Sequence, residues 1–438
     1  MKPTKIVFIG AGSVCFGPAM IHDALLTPEL RGSTLWLVDI DGEHLEVMAA
    51  YAHRLNDALG AGVKIEHTTD RTQALPDAEF VITSIAVLRD ELWKLDFQIP
   101  LKHGLKQVLG ENGGPGGLSH SLRNIPIILD IARDMERLCP DALLMNFTNP
   151  ESRMCLAVSR YTDVHFVGLC HGIGMAQTTI SKALDLPPEE LEPLAAGLNH
   201  FTWVLDLRRK GTGEDLYPAF RRAIAEKNVE VIGIEGEYQW EVKLCRHLME
   251  TFGYFPSPSD DHVGEYLAYA WEYCGTEGYD FDAADRQRVA SWKRLRRVAD
   301  GEVDGLSIEA SGEFAFPIIA STLTGRNDLI LAVNIRNHGV ITNLPDWAVV
   351  EVPAIAAPDG VRGVHIGDLP RGIAALCNTQ VGVQDLVVEA AVHGSRQLAL
   401  EALLVDPVVD SVAAAEKTLD ELLSVHAPYL PHFQKRDG

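Results

Sequence analysis

The sequence is short of basic residues. Its 38 Lys and Arg stand against 61 Asp and Glu, a formal net charge of −23 over 438 residues. Nucleic-acid binding needs clustered Lys and Arg, so that class is excluded. A surface this acidic also repels a long polyanionic substrate. Long apolar runs are missing too. None approaches the roughly 20 residues that cross a bilayer, so no membrane span is expected. The N-terminal run ends in Gly10 without a small-residue cleavage pattern, and no signal peptide is expected. Cysteines number seven: Cys15, Cys139, Cys155, Cys170, Cys245, Cys274 and Cys377. An odd count at irregular spacing is no disulfide framework. Reduced thiols in a cytoplasmic enzyme are expected. Internal repeats and low-complexity tracts are also lacking.

What is present is ordinary globular composition, 47% hydrophobic and 23% charged. At about 100–200 residues per domain the length implies two or three domains and a large core. Lys5-Ile6-Val7-Phe8-Ile9 reads as a buried parallel strand, and Gly10-Ala11-Gly12-Ser13 follows at once. A helix-compatible segment, residues 18–26, comes next. Strand, glycine turn and helix make a dinucleotide site. The glycines let backbone approach a pyrophosphate, and the helix N-terminus supplies free N–H groups. Gly10, Gly12 and Ser13 are the expected contacts. Cys15 stands where a third glycine is usual. A second strand, Thr34-Leu35-Trp36-Leu37-Val38, ends in Asp39, which can accept hydrogen bonds from a ribose diol and so favours NAD over NADP.

Further strands are expected at residues 78–84, 142–147 and 164–169. Alternating strands and helices imply an α/β fold with a Rossmann-type, doubly wound parallel sheet. Thr148-Asn149-Pro150 and Cys170-His171-Gly172 then fall at carboxyl ends of strands, where such sheets bind ligands. Residues 110–117, Gly-Glu-Asn-Gly-Gly-Pro-Gly-Gly, read as a loop able to cover a cofactor or sugar.

Cys170 ends an apolar strand, and His200 lies in the mostly apolar Leu198-Asn199-His200-Phe201-Thr202-Trp203. Thiolate and imidazole from separate segments can bind a divalent metal. By spacing alone, His200 reads first as a core histidine. In Ser257-Pro258-Ser259-Asp260-Asp261-His262, Asp260 or Asp261 could cap a helix or serve as a general base.

Together these motifs resemble glycoside hydrolase family 4, the NAD- and metal-dependent glycosidases, over nearly the whole chain. The resemblance rests on Gly10-Ala11-Gly12-Ser13, Gly113-Gly114-Pro115-Gly116-Gly117, Asn146-Phe147-Thr148-Asn149-Pro150 and Cys170-His171-Gly172-Ile173. It continues in Leu198-Asn199-His200-Phe201-Thr202-Trp203, Asp260-Asp261-His262-Val263-Gly264-Glu265-Tyr266 and Ile341-Thr342-Asn343-Leu344-Pro345. It implies NAD in the Rossmann half and a divalent metal, usually Mn²⁺, held by Cys170 and His200. It also implies unusual chemistry. Hydride leaves the sugar's C3, a base takes the proton from C2, and the glycosidic oxygen departs by elimination. Water then adds and hydride returns, so the net reaction is hydrolysis without the usual carboxylate pair. By the same resemblance Asn149 holds sugar hydroxyls, with Glu111 as a second substrate contact. Asp260 is the first choice for the base and Asp261 the second. His171 is the expected acid or substrate contact.

Cys170-His171-Gly172 resembles the Cys-His-Gly group of α-glucuronidases, so a small α-linked uronide is the first substrate reading. α-Galacturonides and neutral α-glucosides or α-galactosides are alternatives. A uronate calls for an arginine, and Arg89, Arg286 and Arg288 are candidates. Residues 293–297, Lys-Arg-Leu-Arg-Arg, read as a solvated helix face or subunit contact. The Rossmann half alone also fits an NAD-dependent hydroxy-acid dehydrogenase.

The expected division is a Rossmann domain at 1–195, carrying the cysteine ligand, and an α+β domain at 196–438. The second is expected to contribute to substrate, metal and oligomer contacts. Helical stretches are expected at 237–251, 265–274 and 413–425, and a strand at 329–335. A homodimer or homotetramer is expected by resemblance.

Overall fold

A computed structural model describes residues 2–227, 231–232, 239–240, 242–303 and 310–433. Twelve strands form one sheet. We number them β1 Lys5–Ile9, β2 Thr34–Val38, β3 Lys64–Thr68, β4 Phe80–Thr83, β5 Leu143–Asn146, β6 His165–Gly168, β7 Leu191–Leu198 and β8 Phe201–Arg209. The last four are β9 Phe255–Ser257, β10 Asp328–Arg336, β11 Val349–Ala357 and β12 Gly360–Gly363.

The first six strands are all parallel, in the order β3-β2-β1-β4-β5-β6. This is the doubly wound order that opens a crevice where the direction of winding reverses. Alternation along β1 explains why both faces must be covered. Ile6 and Phe8 join a core with the helices Gly17–Leu26, Gly42–Leu59 and Ala315–Thr324. Val7 and Ile9 join another with Gly114–Leu138, Glu151–Tyr161 and Arg371–His393.

Beyond β6 the sheet continues antiparallel through β10, β11, β7, β8 and β9, with β12 on the side of β11. The two halves of the chain are therefore joined by main-chain pairing. Asn334 in β10 pairs with Gly168 in β6.

Several sequence expectations change here. Residues 110–117 are not all loop, because the 25-residue helix Gly114–Leu138 begins inside them. Pro115 suits a first helical turn, and the glycines permit close packing. A Cβ on Gly116 would lie 2.3 Å from Gly110 O, and one on Gly117 2.5 Å from the Asn112 carbonyl carbon. The continuous helix expected at 265–274 is instead a run of turns between the short helices Asp260–Gly264 and Trp271–Cys274. Of the helix expected at 237–251, residues 237, 238 and 241 lie outside the described residues. Gln239–Trp240 is a strand, and the helix is Lys243–Phe252. The C-terminal helix is present as Val412–Val425, with Leu419 and Leu422 buried. Among the described residues none of the seven cysteines forms a disulfide. Among the described residues no helix is long and apolar enough to cross a membrane.

Candidate active site

One line of paired residues crosses the sheet. It runs Ile9, Thr83, Asn146, Gly168, Asn334, Glu351, Gly197, Thr202, Ser257. Five of the seven motifs singled out in the sequence lie just beyond this line. Gly10 follows Ile9, Asn149 follows Asn146, Cys170 follows Gly168, and Asp260 follows Ser257. His200 sits in the turn between Gly197 and Thr202. Residues up to 250 positions apart thus reach one edge because strand register aligns them.

At the nucleotide end, Gly10 has φ +95°, and a Cβ there would lie 2.0 Å from Ser84 O. Only glycine suits both conditions. The Gly12 N–H donates to Asp39 Oδ2 at 2.8 Å, and a Cβ on Gly12 would lie 2.8 Å from that carboxyl. The Ser13 N–H donates to Gly10 O at 3.2 Å, closing the turn. The missing third glycine is supplied two positions late. Gly17 starts the helix, and its Cβ would lie 2.6 Å from Ala11 O. Asp39 therefore braces the turn while its carboxylate remains at the end of β2.

In the centre, Cys170 is half-buried two residues past β6. Burial, and then the nearby Glu351 carboxylate, push its thiol well above the ordinary range, while bonds from Gly172 and Asn199 oppose this. His200 is buried with φ +58°, and Nδ1 has no hydrogen-bond partner. Burial, and then His262, push its imidazole down to about 3. It is therefore neutral, the form that ligates metals. His200 Nδ1 lies 4.0 Å from Glu265 Oε2, which is also unbonded. Among the described residues no group of three or more His, Cys, Asp and Glu is arranged to hold a metal. Cys170 and His200 can offer two ligands, with other positions open to substrate or solvent.

The two aspartates differ sharply. Asp260 accepts backbone N–H bonds from Leu244 and Cys245, both at 2.9 Å, so both of its oxygens cap the helix Lys243–Phe252. Burial raises its carboxyl to about 6 against these bonds. Asp261 instead accepts from Ser259 Oγ at 2.5 Å and from the His262 backbone N–H at 2.9 Å, with His262 Nδ1 also at 2.9 Å. The His262 ring meets His200 edge-on, centroids 4.6 Å apart. Burial works against the His262 cation, yet Asp261 outweighs it and raises the imidazole to about 9. A chain Asp261–His262–His200 thus leads into the site, and Asp260 faces away from it into a helix terminus.

His171 occupies the N-cap position of the helix Gly172–Leu184 with 56% of its side chain exposed. Its Nδ1 is 3.4 Å from Glu313 Oε1, and Glu313 Oε2 is buried without a partner. Asn149 is half-buried, and its carbonyl accepts from Asn124 Nδ2 at 3.2 Å. Glu111 accepts from Arg89 Nε at 3.1 Å and Nη2 at 2.7 Å. Arg89, then His120, overcome its burial and hold its carboxyl near about 2. The uronate candidates are thus already engaged or exposed. Arg89 pairs with Glu111, Arg288 pairs with Asp90 and Asp285, and Arg286 is exposed on its helix. Arg296 and Arg297 pair with Glu43 and Glu302 on an exposed face.

Residues 5–186 match the family 4 glycosyl hydrolases, and residues 195–409 match the C-terminal domain of that family. The chain belongs to this family. This family 4 glycosyl hydrolase is 36% identical to an α-glucosidase of Erwinia rhapontici, the alignment covering 98% of this chain and 100% of that one. It is 33% identical to an α-galactosidase of Bacillus subtilis over the same shares, 98% and 100%. In structure it is similar to the putative glucosidase lplD from Bacillus subtilis. The TM-score is 0.88, identity is 26%, and coverage is 96% of this chain and 100% of that one. A 6-phospho-α-glucosidase from gut microorganisms, solved in complex with NAD and Mn²⁺, shares the fold. There the TM-score is 0.85, identity is 24%, and coverage is 98% and 99%.

Sequence reasoning gave no role to three groups that shape this family 4 site, namely Glu265, Glu313 and Glu351. Glu351 left a signal. It is the one charged residue in Val349–Ala357, an otherwise apolar strand, and a charge there must be paired.

Proposed function

We propose that this family 4 enzyme is an α-glycosidase that binds NAD at residues 10–13 and Mn²⁺ through Cys170 and His200, and cleaves small α-glycosides of uronic acids. The line across the sheet carries the reading, since it brings the glycine turn, Asn149, Cys170 and His200 to one edge. In this reading residues 1–195 hold the nucleotide and the cysteine ligand, and residues 196–438 bring His200 and the proton-transfer groups. The relatives named α-glucosidase and α-galactosidase support an α-glycosidase. The phospho-α-glucosidase complex with NAD and Mn²⁺ supports the two cofactors.

The donor set fits a divalent metal. His200 is neutral with an unpartnered buried nitrogen. Cys170 resists ionisation, so it becomes a thiolate only beside compensating positive charge. NAD held at residues 10–13 would supply hydride removal and return at a sugar carbon, and a metal held by Cys170 and His200 would supply polarisation of the oxygen on that carbon.

The chain's own residues do the rest. Gly10, Gly12 and Ser13 present backbone to the nucleotide, and Asp39 accepts from its ribose. Asn149 holds sugar hydroxyls. Asp261 receives the proton from C2, favoured over Asp260 because both Asp260 oxygens are taken by backbone N–H groups. His171, held toward Glu313, donates to the departing glycosidic oxygen. Seven cysteines outside any disulfide support a cytoplasmic setting. Exposed Leu404, Val405 and Val412 support a homodimer or homotetramer.

A neutral α-hexoside is a second reading. It is favoured by the engagement of Arg89 and Arg288 with carboxylates and by the acidic surroundings of Cys170. A panel of aryl α-glucuronide, α-galacturonide, α-glucoside and α-galactoside, assayed with NAD, Mn²⁺ and reductant, separates the two. The uronide reading expects the fastest aglycone release from the glucuronide. Faster release from the glucoside or galactoside overturns it, and undiminished activity after chelation overturns the metal.

A further inference from the structure

We propose that Glu351 is a positioning residue for the metal-binding pair, setting the geometry of both Cys170 and His200 from beneath the site. This rests on the proposal that those two side chains hold the metal.

Glu351 is 2% exposed on β11, in the middle of the sheet. Its carboxylate has three side-chain donors. Thr202 Oγ1 reaches Oε1 at 2.6 Å, and Asn199 Nδ2 and Asn334 Nδ2 both reach Oε2 at 2.9 Å. Two donors flank the turn that carries His200, and the third lies on the strand beside the one that leads to Cys170. Asn199 and Thr202 flank the turn in which His200 adopts φ +58°, a conformation a β-carbon disfavours. A turn held on both sides keeps that residue in place. Asn334 pairs with Gly168, two residues before Cys170, on the neighbouring strand.

Asn199 also connects the two ligands directly. Its side chain is anchored on Glu351 at 2.9 Å and acts on the Cys170 thiol, opposing the upward push of burial. Gly197 is the neighbour of Glu351 on β7, so no side chain separates the carboxylate from Thr202 on the next strand. Partners that orient metal ligands typically change metal affinity by about 10–100-fold when removed.

The test measures Mn²⁺ affinity by electron paramagnetic resonance in NAD-loaded protein without substrate, together with NAD affinity and thermal unfolding. Glu351→Gln is expected to weaken Mn²⁺ binding by roughly 10–100-fold with NAD affinity unchanged. Thr202→Val removes one bond and keeps the charge. It is expected to weaken Mn²⁺ binding severalfold, and it decides the matter if Glu351→Gln does not fold. Cys170→Ser runs in parallel. If Cys170→Ser loses Mn²⁺ while folded Glu351→Gln and Thr202→Val both retain full affinity, the positioning role is overturned and the metal pair stands. If Cys170→Ser binds Mn²⁺ as tightly as the unaltered enzyme, the metal pair is overturned and this role with it. Equal losses of NAD and Mn²⁺ affinity mean general damage and also overturn it.

Discussion

Glu265 Oε1 lies 2.6 Å from the backbone nitrogen of Glu111 and accepts its hydrogen bond. The same oxygen accepts from the next two N–H groups, Asn112 at 2.7 Å and Gly113 at 3.2 Å. One carboxylate from the second half of the chain thus clamps the glycine-rich segment of the first. A Cβ on Gly113 would lie 2.4 Å from Glu265 O, which is why the segment tolerates no larger residue there.

Glu265→Ala should leave three buried N–H groups without their acceptor. Each unsatisfied group costs about 1–3 kcal/mol, and solvent entry recovers part of that. A net loss of about 3 kcal/mol in urea unfolding is expected, with Glu265→Gln recovering roughly half. Equal stability of Glu265→Ala and the unaltered chain would contradict the clamp.

Asp260 and Asp261 should separate by pH and by rate. The Asp260 carboxyl is raised by burial from 3.8 to about 6. A raised acid stabilises the fold while protonated, so this contribution is complete below about pH 4 and lost as pH rises through 6. About two pH units correspond to roughly 3 kcal/mol. Asp260→Asn lacks that titration, so its stability relative to the unaltered chain should improve by about 3 kcal/mol from pH 4 to pH 7. Asp261→Asn should instead lower kcat by roughly 10²–10⁴-fold. Parallel pH profiles of stability would refute the first expectation, and unaltered turnover the second.

Gly12→Ala should weaken NAD binding, because its Cβ would lie 2.8 Å from the Asp39 carboxyl. Asp39→Ala removes the acceptor that holds the Gly12 N–H. Hydrogen bonds to charged groups contribute about 1.5–3 kcal/mol, so the Kd for NAD should rise by about 10–100-fold in Asp39→Ala. Fluorescence titration with NADH reads this directly.

Arg89→Ala strips the buried Glu111 of its cation. Breaking a buried pair on one side costs about 3–5 kcal/mol, and the partial exposure of Arg89 lowers the expectation to about 2 kcal/mol. Since Arg89 holds the Glu111 carboxyl near about 2, the loss should appear at neutral pH. It should fade as pH falls from 4.5 toward 2 and Glu111 is protonated in both states. The ratio of glucuronide to glucoside turnover should stay unchanged if Arg89 serves Glu111 alone, and it should fall if Arg89 also grips a uronate.

Much of the fold was legible in local pattern. Lys5–Ile9 and Thr34–Val38 are the strands their apolar, β-branched residues suggest. Residues 265–274 misled because helical composition says nothing of the turns that let Glu265 reach the glycine segment. Residues 110–117 misled because glycine signals a loop locally, whereas here it permits a helix to start against packed backbone. The choice between Asp260 and Asp261 was invisible, since adjacent aspartates have the same composition and differ only in which N–H groups meet them.

The sequence by itself determined the parallel Rossmann-type half, the glycine turn with Asp39, and the candidate ligands Cys170 and His200. The first two rest on short-range periodicity and residue chemistry, and the ligands on the resemblance to family 4. Tertiary structure decided what surrounds them. Asn199 and Glu351 are 152 residues apart and 2.9 Å from each other. Such a contact depends on strand order and register across the sheet, which no local pattern encodes.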